Sequence, residues 1–182
     1  LALDLGQRDK EFDSFGTGTY NFFGVQTYTS RFETDMDVTS VSPRLLWKSQ
    51  VAGMDNRLTV GVDWSDWTYT NRASNTDTLF GNSKTRTVGN QDNRAIYFRD
   101  ELAVTPGTRL TVGGRRENVK QDQEEYLTPL PKQSVENHLS AYELALQQDL
   151  GGRFSAYGRL GRSFRVATID ENRCLFAPCG PL

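Results

Sequence analysis

No stretch of this 182-residue sequence reaches the ~18 consecutive apolar residues of a membrane-spanning helix. Cysteine is nearly absent: Cys174 and Cys179 exclude a disulfide-built scaffold. The lone histidine, His138, has no second imidazole to share a metal with, and no serine sits in a nucleophile-elbow context. His138 is read as a polar residue near the start of a strand, and no enzymatic activity, resident cofactor or metal is expected. Basic residues are spread along the chain, and a net charge of −2 with a pI near 5.5 leaves no footprint for nucleic acid. Also missing are an internal repeat, a low-complexity tract and a linker between domains. The chain opens on Leu1 with no basic-then-apolar leader, as expected of a mature product or a piece of a longer chain. The mean hydropathy of −0.60 still permits strands that cross a membrane, because alternating faces average out as polar.

What the sequence does have is a rhythm. Strand-like runs fall near 1–11, 34–50, 57–72, 93–105, 109–122, 136–149 and 153–166. Three joints are tight: Val51–Asn56, Pro106–Thr108 and Leu150–Gly152. The intervening segments 12–33, 73–92, 123–135 and 167–182 read as long loops. Short turns at one end and long loops at the other suit an antiparallel barrel threading a membrane from one side. Period-2 alternation supports each strand. Leu58, Val60, Val62 and Trp64 oppose Thr59, Gly61 and Asp63; Leu110 and Val112 oppose Thr111, Gly113 and Arg115. Tyr142, Leu144 and Leu146 oppose Glu143, Ala145 and Gln147. Ile96, Phe98, Leu102 and Val104 share a face with Asp100 as the misfit, so Asp100 and Glu101 point apart and form no acid–base pair. A half-buried soluble sheet would alternate in the same way. Pro43 interrupts the second run, either at a bulge or because regular pairing begins after it. Segment 136–149 has a helix-like composition, but its Gly151–Gly152 joint to the clear strand 153–166 favours a strand.

Several stretches resemble one family. Arg153–Glu171 (RFSAYGRLGRSFRVATIDE) is similar to the strand end of TonB-dependent outer-membrane receptors, where Ser-Phe-Arg-Ala-Pro-Thr precedes an acidic residue. Ser163, Phe164, Arg165, Thr168 and Glu171 match, while Val166 and Ala167 replace the usual Ala-Pro. Ser42–Leu45, Asn56–Asp63 and Arg94–Arg116 resemble further family strands in the same order. The resemblance covers most of 34–171. It implies an all-β fold: an antiparallel transmembrane β-barrel segment, about seven strands of a larger, 22-stranded barrel, with residues 1–182 a fragment of the barrel domain. Nothing in the sequence looks like the family's plug domain or TonB-contacting box. Seven strands cannot close a barrel, and an open edge in lipid leaves backbone groups unpaired.

The resemblance further implies a bacterial outer-membrane location and uptake of an iron–siderophore or similar nutrient. The implied partners are outer-membrane lipid, the small ligand, and TonB acting through the plug. The alternative is a small structural outer-membrane barrel or a soluble ligand-binding β-barrel. Segment 12–33 is rich in aromatics, and Trp67 and Tyr69 stand where a strand would leave the outer interface. Aromatic faces suit planar or catecholate ligands, so Tyr20, Phe22, Phe23, Tyr28, Trp67 and Tyr69 are the expected ligand contacts. Interfacial girdles are aromatic in any membrane barrel. Cys174 and Cys179 are expected to close a local disulfide in an extracellular loop, given an oxidising envelope.

Overall fold

The computed structural model describes residues 1–127 and 131–166. These form one seven-stranded antiparallel sheet in simple meander order: β1 (Ala2–Asn21), β2 (Val25–Val51), β3 (Met54–Asp77), β4 (Gly81–Thr105), β5 (Thr108–Glu125), β6 (Gln133–Gly151) and β7 (Phe154–Arg162). No helix occurs among the described residues. All seven expected strands are present, including β6, whose helix-like composition yields to pairing with β5 and β7. Cys174, Cys179, Thr168 and Glu171 lie outside the described residues.

The long loops require a correction. Segments 12–33 and 73–92 are not loops; they are the outer halves of two hairpins, turning at residues 22–24 and 78–80. Of segment 123–135, residues 123–125 belong to β5 and 133–135 to β6. Strand β2 is 27 residues and β4 is 25, against the roughly 9–11 that cross a bilayer. At about 3.3 Å per residue, β2 is roughly 90 Å long and projects far beyond any membrane. The opposite end keeps its tight turns. At Ala52–Gly53 both residues have positive φ (53° and 78°), the geometry of a two-residue type I′ hairpin. Pro43 is neither at a register-shifting bulge nor at a strand start. It pairs with Leu3, and the ladder to β3 lapses only across Ser42–Pro43 before resuming in the same register at Arg44. A residue without an N–H leaves such a gap without shifting the strands.

The two faces invert the rule for soluble proteins. The most buried side chains, among them Ala95, Thr111, Glu117, Val119, Gln121 and Ala145, all lie on the concave face, which is largely polar. The convex face exposes a band of Leu3, Leu45, Trp47, Val60, Val62, Ile96, Phe98, Val112, Leu144 and Leu160. An exposed apolar surface this continuous is built to meet something other than water. The band also runs obliquely. Its upper border steps from Trp64 on β3 to Ile96 on β4, Tyr142 on β6 and Leu160 on β7, falling three rows over the four strand spacings from β3 to β7. That is roughly 20 Å along the strands for roughly 19 Å across them, so a level band means strands tilted by about 45°, at the steep end of barrel geometry.

Candidate ligand-binding face

The concave face carries two layers of polar chemistry. At the level of the apolar band lies an arginine–carboxylate lattice. Arg57 and Arg99 share Glu101 at 3.8 and 3.2 Å, and Glu143 forms ion pairs with Arg99 at 3.7 Å and Arg159 at 2.8 Å. Arg115 bridges Asp63 and Glu117 and lies 5.8 Å from the centre of the Tyr97 ring. Cross-strand register produces this lattice, since Arg57 faces Glu101 and Arg99 lies two residues from it on the same side. The Tyr97 ring lies across Gly61, where a Cβ would collide with it. The groups border an open concavity of about 850 Å³ lined by Arg44, Arg57, Tyr97, Arg99 and Arg115 among others.

Above the lattice the face turns neutral. Gln121 donates to Gln91 at 2.7 Å, Gln91 to Asn93 at 3.0 Å, and Asn93 to Ser65 at 3.2 Å. Beside this amide chain stand Trp67 and Tyr69, ring centres 6.1 Å apart, with the Asn71 amide donating to the Tyr69 hydroxyl at 2.8 Å. The Trp67 indole N–H is buried and has no hydrogen-bond partner among the described residues. Pairing also aligns Arg8 with Val38, Trp67, Gln91 and Gln121 in one row across the sheet, and Lys10 with Met36, Tyr69 and Gly89 in the next. Cation, aromatic and amide therefore share one wet surface.

The expected contact residues divide into three groups. Trp67 and Tyr69 form the pair just described. Tyr20 and Tyr28 lie on the same concave face, 6.5 Å apart, with the Tyr28 ring laid across Gly18. They stand on strands and not in a loop. Eight residues of β2 separate Tyr28 from Met36, the partner of Tyr69, so the two pairs are roughly 26 Å apart. Phe22 and Phe23 make an edge-to-face pair at the hairpin tip, ring centres 4.7 Å apart, and Phe23 is 92% exposed. Tyr20 also joins two hairpins, since its hydroxyl donates to Asp77 at 3.0 Å and ties the first tip to the second. Partial desolvation and that bond raise its pKa. Asp77 also accepts the Phe80 and Leu79 amides, which with the Tyr20 bond outweigh desolvation and hold its carboxyl below the ordinary range. Sequence reasoning missed the Gln91–Gln121 chain and the arginine lattice, because each needs three or more strands in register. His138 sits on the convex face beside Glu136.

A family model described as TonB dependent receptor-like, beta-barrel, matches residues 2–180. The chain belongs to that family. As a TonB-dependent receptor barrel it also finds relatives among solved structures. The ferric citrate transporter FecA in unliganded form superposes with a TM-score of 0.67 at 15% identity, over 87% of this chain and 27% of that one. The ferric preacinetobactin receptor BauA of Acinetobacter baumannii gives 0.67 at 14%, over 86% and 26%. The ferric-catecholate import receptor Fiu of E. coli K12, open form, gives 0.61 at 12%, over 87% and 35%. At such identities the likeness establishes the fold, and the chain spans about a quarter to a third of these receptors' lengths. No curated protein matches. Membership supplies the setting for both faces: the convex band belongs in the outer membrane, as for other receptors of the family, and the concave face lines the barrel interior. The family is of receptor and transporter type, not enzymatic.

Proposed function

We propose that this chain is part of an outer-membrane receptor that captures an iron–siderophore complex or a similar nutrient outside the cell. Import then draws on TonB-derived energy delivered through a plug domain. The observation that carries the reading is the upper concave face, where Trp67 and Tyr69 stand between the Arg8–Lys10 edge and the Gln91–Gln121 amide chain. Iron chelates of carboxylates or catecholates are anionic and present planar or hydrogen-bonding surfaces, and this set of groups complements them. Tyr20, Phe22, Phe23 and Tyr28 extend the aromatic surface toward the tip, where a ligand arrives first. Similar structures include a ferric citrate transporter and a ferric-catecholate import receptor, which agrees with that chemistry.

The test is binding to the complete receptor in detergent, with ferric citrate and a ferric tris-catecholate as probes and tryptophan fluorescence as readout. One of the two is expected to quench the signal saturably, with affinity reduced about tenfold in Trp67→Ala, the equivalent of one lost aromatic contact of roughly 1.4 kcal/mol. A deletion strain is expected to grow poorly when that chelate is the only iron source. Normal growth on both, and no saturable binding, would overturn the reading.

A further inference from the structure

Three arginines mark the upper border of the apolar band on the convex face. Arg94 on β4 pairs with Asn118, Arg116 on β5 with Ile96 and Ser140, and Arg162 on β7 with Tyr142. Arg94 and Arg162 each lie one row beyond the last apolar position of their own strands, Ile96 and Leu160, and Arg116 lies two rows beyond Val112 with Gly114 between them. They therefore descend from strand to strand along the slant of the band, and in a tilted barrel that places them at one height. Diagonal neighbours in a sheet are roughly 7–8 Å apart, so Arg94 and Arg116 can grip one group; Arg162, two strands further on, is within reach of the same or the next. All three are exposed. Arg94 is bound to Asp92 at 2.7 Å, and Asp92 also accepts the Trp64 indole N–H at 2.9 Å. Arg116 and Arg162 have no carboxylate partner among the described residues. On β6 the position above Tyr142 is the neutral Ser140, and on β1 to β3 the rim reverses sign. Above Trp64 on β3 comes Asp66, and Asp9 faces Asp37 across β1–β2.

Arginines at one height above an apolar wall, two of them without counter-charge, fit phosphate groups at a membrane surface. The guanidinium fork binds phosphate oxygens in a bidentate manner, and its aliphatic stem lies along the apolar surface. We propose that Arg94, Arg116 and Arg162 form a docking strip for phosphate-bearing lipid headgroups of the leaflet that meets the upper border of the band. The proposal rests on the membrane placement of the convex face. The acidic rim of β1–β3 confines the strip to one side of the sheet, so bound lipid is localised and not an even annulus.

The experiment uses the complete receptor in nanodiscs of phosphatidylethanolamine, with or without a bis-phosphorylated diglucosamine lipid, and counts retained glycolipid by native mass spectrometry. The wild type is expected to retain it. Each Arg→Gln change lowers retention about fivefold, and the triple change R94Q/R116Q/R162Q roughly a hundredfold. The dephosphorylated glycolipid is expected to bind the wild type no better than the triple variant. Inorganic phosphate in excess is expected not to displace the lipid, which separates a headgroup site from a free-phosphate site. Equal retention by wild type and triple variant, with the variant folded and in the outer-membrane fraction, would overturn the docking strip alone. Failure of the wild type to partition with outer-membrane proteins would instead overturn the membrane reading beneath it.

Discussion

The lower and upper halves of this sheet have the same ladder and topology but depend on opposite surroundings. In the lower half the convex face is apolar and the concave face carries ion pairs, so the wall is correct only with lipid on one side and polar contents on the other. In the upper half both faces are largely polar, with aromatic rings set among polar groups on the concave side, and the strands are held by contacts between neighbours. Arg72 pairs with Asp35, Arg31 reaches Asp13 at 3.1 Å and Glu33 at 2.8 Å, and Thr68 donates to Asn90 at 3.2 Å. The lower half is selected by solvent and the upper half by register.

Substitutions on the convex face test that contrast most strongly. Val112→Arg, at the centre of the band, is expected to cost about 2–4 kcal/mol, while Thr68→Arg on the same face of the upper half stays within about 0.5 kcal/mol. Urea unfolding of the receptor in lipid vesicles measures both, and equal costs would dissolve the distinction between the halves. Next comes a gain. Asp100 lies in the apolar band between Leu58 and Val112, and its Oδ1 is shielded without a hydrogen-bond partner. Asp100→Leu is therefore expected to stabilise the same transition by about 1–2 kcal/mol. A loss would show that this carboxylate has a partner in the assembled barrel.

Glycine positions sharpen the comparison between faces. Gly61→Ala drives a Cβ against the Tyr97 ring, which the Arg115 guanidinium overlies, and is expected to cost about 1–3 kcal/mol. Gly114→Ala on the lipid side meets only the edge of Phe98, an exposed ring free to swing into lipid, and should cost less than about 1 kcal/mol. The smallest effects are pH-linked and confined to the upper half. Asp77 has a depressed pKa, so its stabilisation of the second hairpin tip is complete above the ordinary carboxylate pKa of about 4 and is lost as pH falls through the lower folded value. Asp37 has the opposite sign. The Asp9 side chain, partial desolvation and neighbouring carboxylates favour its neutral form, so the β1–β2 edge is firmest in acid and loosens as pH rises through the raised folded value. Amide-exchange protection corrected for intrinsic rates should therefore fall at Phe80 and rise near Asp37 on acidification; parallel changes would contradict both assignments.

Legibility followed the same division. Where lipid faces one side, alternation is visible in the chain: Leu58–Val60–Val62 and Leu144–Leu146 announce their strands and their face. The upper halves of β1 to β4 carry Thr, Ser, Asn and charged residues on both faces, so periodicity vanishes and an ordered hairpin reads as a loop. Tyr20 and Tyr28 therefore stand out in the sequence as aromatics, while their place on paired strands does not. Their geometry depends on Gly18 lying opposite Tyr28 and on Asp77, 57 residues from Tyr20.

By itself the sequence determined the seven strands, the tight turns at one end, the lipid-facing residues and the family, because these are local patterns of period two, turn chemistry and short motifs. Only the tertiary structure decided the register. Register set Arg57 against Glu101, Gln91 against Gln121 and Trp67 in a row with Arg8, and it laid three arginines along the border of the band. A strand pattern states which face a side chain takes; which residue stands opposite depends on pairing many positions away, and no local signal carries that.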